Sequence, residues 1–164
     1  MKTVTIDQLI QKKGLMYETK SKTPFSGVSL SYFLNGNIWS KTTYKKGKID
    51  GPSFLNHPNG ELYTYNTYKN GKESDGVKET YWDNGQVKER KNIKNGEENG
   101  TCEYFHENGS VGYKGIYKNG RQGDGLWTSY HDNGEVSGVW TMKDGERDGV
   151  RTYYDQKGHK IYQE

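Results

Sequence analysis

The sequence predicts an all-β fold: an elongated single-layer antiparallel meander of tandem β-hairpin repeats, about six units of 24–25 residues, behind a short N-terminal helix and strand cap. Three observations carry that reading. Glycines recur on three evenly spaced columns. Asn-Gly and its near relatives stand between short runs rich in β-formers. The hydrophobic share is only 29%, yet the chain holds 14 tyrosines, whose rings pack while their hydroxyls stay wet.

The repeat comes first, because a missed period misassigns everything after it. The first glycine column is Gly27, Gly51, Gly76, Gly100, Gly125 and Gly149. Nine residues after each stands a second column, from Gly36 to Gly158, and eleven after that a third, from Gly47 to Gly145. The step to the next unit alternates between 4 and 5 residues, so all slack sits in one connection. The second and third columns each predict a turn, and the Asn before the second-column glycine suggests a type I′ turn with φ > 0 at both central residues. Two turns per period give two antiparallel strands per period. A 3.6-residue stripe is absent, and glycine this frequent disfavours helix.

The first-column glycine serves as position 0 of each repeat. Strict alternation puts position 6 (Phe33, His57, Trp82, His106, His131), position 11 (Ile38, Leu62, Val87, Val111, Val136) and position 17 (Tyr44, Tyr68, Ile93, Tyr117, Met142) on one face, the expected core. Position 5 (Tyr32, Tyr81, Phe105, Tyr130, Tyr154) falls on the other. Residues 1–26 form the expected cap, with "IDQLIQKKG" as a short helix, Asp7 its N-cap and Gly14 its C′ residue, followed by a strand over "LMYETK". The array itself spans 27–164.

The motif "G-x-W-x-x-Y-x-x-N-G-x-V … Y-K-N-G … D-G", clearest over 125–149, resembles the MORN-repeat variant of bacterial proteins. It is similar to the YwqK-type group of antitoxins of toxin–antitoxin systems, and "GLMYETKSKTPFSG" resembles the lead-in before such repeats. Ile93 and Asn56 depart from it, standing where an aromatic is usual. The resemblance implies a repeat scaffold whose partner is a toxin protein.

Chemistry is sparse. The net charge of +3 is too balanced to point to nucleic acid. A single Cys102 leaves no internal disulfide or cysteine-based zinc cluster. The column His57, His106, His131 has about 10 Å between consecutive repeats, too far for neighbours on one ion. No cofactor, no metal and no enzyme activity are expected. The start "MKTVTIDQLI" lacks an apolar signal stretch, so the chain as given reads as cytoplasmic, or as secreted or cell-surface if a signal peptide has been removed from it. The expected partner surface is the ladder Tyr32, Tyr81, Phe105, Tyr130, rimmed by the basic column Lys45, Lys69, Lys94, Lys118, Lys143. The alternatives are anionic lipid along the lysines, choline or glycan on the rings, and self-association through sheet edges.

Overall fold

The computed structural model describes all 164 residues, in two compact units, residues 1–74 and 75–164. The first contains β1 (Thr3–Thr5), a 3-10 turn (Ile6–Gln8), β2 (Leu9–Lys12), β3 (Leu15–Glu18), β4 (Gly27–Tyr32), β5 (Ile38–Lys45), β6 (Lys48–Asn56), β7 (Leu62–Lys69) and β8 (Lys72–Glu73). Strands β1, β4, β5, β6 and β7 pair in that order, β8 returns on β7, and β2–β3 form a separate hairpin. Only β1–β4 is parallel. The second unit contains β9 (Gly76–Tyr81), β10 (Val87–Lys94), β11 (Glu97–Phe105), β12 (Val111–Lys118), β13 (Arg121–Gln122), β14 (Gly125–Tyr130), β15 (Val136–Lys143), β16 (Glu146–Tyr154) and β17 (Lys160–Gln163). It is an antiparallel meander in chain order, with the stub β13 returning on β12.

The alternating step explains the stubs. Where four residues separate the third and first columns, β6, β11 and β16 each run unbroken for 9 residues. Where five do, the extra residue breaks the ladder, leaving β8 and β13 with 2 residues each.

Two turn types alternate, although their sequences look alike. The third-column turns are type I′: Lys46, Asn70, Asn95, Asn119 and Asp144 have φ of 50–55°, and the glycines after them 74–83°. The second-column turns are not, which corrects the expectation above. There only the glycine has positive φ. At 106–110, Gly109 N–H bonds to His106 O at 2.9 Å and His106 N–H to Ser110 O at 2.8 Å, a type I turn closed by a left-handed glycine.

That longer turn inserts a bulge in every hairpin. Position 4 pairs with 13 but position 5 with 11, as in Tyr104–Tyr113 and Phe105–Val111. Position 12 is the extra residue, and it turns toward position 4: a Cβ on Gly112 would lie 2.6 Å from the Tyr104 ring. Positions 6 and 17 therefore share the first, crowded face as expected. Position 11 does not: Ile38, Leu62, Val87, Val111 and Val136 lie on the second face, near position 5. A bulge breaks the alternation on which the expectation rested.

The N-terminal helix contracts to the single 3-10 turn, where Thr5 N–H bonds to Gln8 Oε1 at 3.0 Å. Lys13–Gly14 is instead a type I′ turn, with φ of 48° and 77°. Tertiary pairing overrides local preference, because Met16 N–H bonds to Gly47 O and Phe25 N–H to Met16 O, each at 2.8 Å. This packing buries Val4, Leu9, Phe25 and Tyr44, with Met16 and Ile49 against them.

Side chains also tie each hairpin to the next at the second-column turns. Asn108 Oδ1 accepts from Ser110 N–H at 2.9 Å within its own turn, while its Nδ2 donates to Asp132 O of the next repeat at 2.8 Å. Asn35, Asn84 and Asn133 repeat the arrangement with Pro58, Glu107 and Gln156. Position 6 adds a second tie: Trp82 Nε1, His106 Nε2 and His131 Nε2 reach the carbonyls of Phe105, Tyr130 and Tyr154 at 3.0, 3.1 and 2.9 Å. Facing a carbonyl, each imidazole Nε2 must carry the proton. The histidines thus act as donors in the scaffold.

Candidate binding surfaces

On the first face of residues 75–164, the rings pack among themselves. Tyr104 and Tyr113 stack at 5.5 Å, Tyr113 and Trp127 at 6.5 Å, and Trp127 and Trp140 at 6.1 Å. The Arg151 guanidinium closes the row 4.2 Å above Trp140. Trp127 is only 2% exposed. Sequence columns could not show this row, because its members occupy positions 4, 13, 2 and 15. The glycines that fall off the grid could have: Gly112 lies under Tyr104, and Gly115 under Trp127. This face is a core made from a single layer, already filled by its own side chains.

The second face of the same unit has three rows across its strands. Tyr81, Phe105 and Tyr130 lie in one, paired with Val87, Val111 and Val136. All six are half-buried. Beside them runs a charged row: Arg90 reaches Glu79 at 2.7 Å and Glu103 at 3.4 Å, and Lys114 reaches Glu103 at 3.3 Å. Arg90 also lies over the Phe105 ring at 5.5 Å. In the third row Val77, Ile116, Leu126 and Val150 are each 48–64% exposed. The sequence reading missed that row. In residues 1–74, Tyr32 pairs with Ile38 and is 49% exposed, and Phe54 packs on Tyr65 at 4.9 Å on the same second face.

The MORN repeat variant pattern matches residues 26–46, 74–95, 98–119 and 123–144, just over half of the chain. The chain belongs to the MORN repeat variant family. None of the curated proteins matches it. It is similar to a chain in the crystal structure of accessory secretory protein 1, 2 and 3 in Streptococcus pneumoniae, with 21% identity over 70% of this chain and 17% of that one. The TM-score there is 0.20, a superposition too loose to bear on fold or function.

In this MORN array the lysine column is fully exposed, from Lys45 and Lys69 in residues 1–74 to Lys94, Lys118 and Lys143 in residues 75–164. Its setting differs between the units. Across the turn, Lys45 and Lys69 face Lys48 and Lys72, and Lys118 likewise faces Arg121, whereas Lys94 and Lys143 face Glu97 and Glu146. In the second unit two of the three lysines thus meet an acidic partner across the turn, which interrupts the basic stripe.

Buried groups in the MORN array are held inert. Burial pushes the Cys102 thiol up, away from the reactive thiolate, and the residue is 2% exposed. Burial alone would lower the Lys91 ammonium, but hydrogen bonds to Glu98 at 2.8 Å and Glu89 at 3.1 Å outweigh it and raise it. On the second face, the hydrogen bond from Arg90 holds Glu79 below its usual range. A depressed carboxylate stabilises the fold fully above the unfolded-state value, about 4.3, and loses that contribution as pH falls through the folded value. Glu79→Gln should therefore cost about 0.5–1 kcal/mol at neutral pH and nothing at strongly acid pH. Urea titrations at both pH values measure the difference, and an equal cost at both would remove the ion pair from the account.

Proposed function

We propose that this protein is a non-enzymatic protein-binding scaffold, that its contact surface is the second face of residues 75–164, and that its partner is a toxin it neutralises by covering. The carrying observation is the parallel run of the Tyr81–Phe105–Tyr130 row and the exposed Val77–Ile116–Leu126–Val150 row, with the paired charges between them. Tyrosine, phenylalanine and arginine are among the residues enriched at interface cores, tyrosine and arginine also lead among hot spots, and the exposed aliphatic row supplies the surrounding contact that excludes water. The surface is laid out over successive strands, and catalysis would call instead for polar groups converging in a cleft. The toxin reading adds the resemblance to YwqK-type antitoxins to that surface.

The test begins with capture of a stoichiometric partner and its identification by mass spectrometry. The double variant Tyr81→Ala/Tyr130→Ala should then bind it at least ~30-fold more weakly, the loss of one hot spot or more. Its circular dichroism and melting must remain those of a folded array. Unchanged affinity in the folded variant would place the contact elsewhere. Rescue of growth when the partner is co-expressed with this chain, and not with the double variant, tests neutralisation.

A further inference from the structure

Charge is divided unevenly along the chain. Residues 1–74 carry eleven lysines against five acidic side chains, whereas residues 75–164 carry thirteen basic against sixteen acidic. In the first unit the excess gathers at one edge. Three type I′ turns, Lys13–Gly14, Lys46–Gly47 and Asn70–Gly71, border one groove of about 510 Å³. They meet because β3 docks on the second turn: Met16 N–H bonds to Gly47 O at 2.8 Å, and a Cβ on Gly47 would lie 2.9 Å from Leu15 Cβ. The third turn follows, since Gly71 N–H bonds to Ile49 O at 2.7 Å.

The groove has an apolar lining of Met16, Tyr44 and Ile49. Its borders are cationic. Lys13 is at the first turn, Lys45, Lys46 and Lys48 at the second, and Lys69 and Lys72 at the third, all exposed. Asp50, on the strand that leaves the second turn, is already engaged: it accepts Asn70 N–H at 3.0 Å and lies 3.8 Å from Lys69. The equivalent edge of the second unit lacks this character. Its groove is lined by Glu97, Asp124 and Asp144 as well as Lys118 and Arg121. The basic edge is thus a property of the first unit and not of the repeat.

We propose that this three-turn groove docks an acidic, extended peptide segment of a protein partner, one of whose apolar side chains enters the groove between Met16 and Ile49. Charge complementarity selects the carboxylates, and the apolar lining selects the side chain between them. A headgroup layer would meet the lysine tips but leave that lining unfilled. The inference rests on the scaffold reading and names a second surface, separate from the aromatic rows.

The probe is a fluorescein-labelled glutamate peptide with a central leucine pair, titrated by anisotropy at low salt. It should bind wild type and weaken as salt rises. Lys46→Glu/Lys48→Glu should weaken it at least ~10-fold, whereas Lys118→Glu/Lys143→Glu should stay within about 2-fold. Ile49→Ser, checked for folding by thermal melt, should weaken the leucine peptide and leave an all-glutamate peptide unchanged. Equal losses from both lysine pairs would overturn the site. So would binding to phosphatidylserine vesicles without binding to the peptide, or lysine-dependent self-association in sedimentation velocity. Tyr81→Ala/Tyr130→Ala should bind the peptide normally, so failure of the groove and failure of the aromatic surface can be told apart.

Discussion

Alanine at Gly115 should destabilise residues 75–164 by about 2–3 kcal/mol, as overpacking of a filled site does. The sign is the informative part. Gly115 has an ordinary backbone, with no positive φ. At such a strand position, alanine usually gains about 0.5–1 kcal/mol by restricting the unfolded chain. Here its Cβ would fall 2.2–2.4 Å from three ring atoms of Trp127. The ring cannot give way, because Tyr117 meets it edge-on at 5.5 Å, Trp140 stacks at 6.1 Å, and its Nε1 donates to Gly123 O at 3.2 Å. Urea denaturation followed by tryptophan fluorescence measures the cost. In a Trp127→Leu background the same alanine should cost little, leaving a coupling of about 1–2 kcal/mol between the two sites. If Gly115→Ala stabilised the wild-type chain, the ring would not be seated as described.

Asn108→Asp and Asn119→Asp should differ, although both asparagines precede glycine. Asn108 needs both ends of its amide, Oδ1 for Ser110 and Nδ2 for Asp132 O. A carboxylate keeps the acceptor but loses the donor, and it places negative charge against a carbonyl. The expected cost is about 1–3 kcal/mol at neutral pH. It should shrink in acid, where the protonated carboxyl donates again. Asn119 instead supplies a left-handed backbone, with φ of 50°, and Asp144 already does the same in the next repeat, with φ of 52°. Asn119→Asp should stay within about 0.5 kcal/mol. Parallel chemical denaturation of the two variants checks the contrast, and equal losses would make the ties between hairpins irrelevant.

These two sites show what the sequence made legible. Every second- and third-column turn has a glycine at positive φ, so the turns, the strand count and the 4–5 alternation could be read directly from the columns. Face assignment failed at position 11, because type I′ and type I turns both accept Asn-Gly and only the second adds a bulge. The ring row escaped because its residues come from different positions in successive repeats. Its trace in the sequence is the off-grid glycines Gly112 and Gly115, which have no turn to make. The N-terminal hairpin escaped for another reason: its partner, the Gly47 backbone, lies some thirty residues further on. Of the proposed contact residues, the order of Tyr81, Phe105 and Tyr130 along one face was legible. The neighbouring row of Val77, Ile116, Leu126 and Val150 was not, since no single column holds it.

The asparagine ties at the second-column turns point one way. Asn35, Asn84, Asn108 and Asn133 are donors, and the acceptors are main-chain carbonyls of the repeat that follows. The array therefore has a direction, like a zipper whose teeth all lean forward. Opening it from the C-terminal side strands the amide donors of these turns, together with the ring N–H of Trp82, His106 or His131 where one is present. Of these turn ties, opening from the N-terminal side strands only the carbonyls, which water reaches more readily at an exposed turn. Because a repeat array unravels through its nearest-neighbour contacts, that asymmetry gives fraying a preferred end, set by a one-way choice of asparagine at four turns.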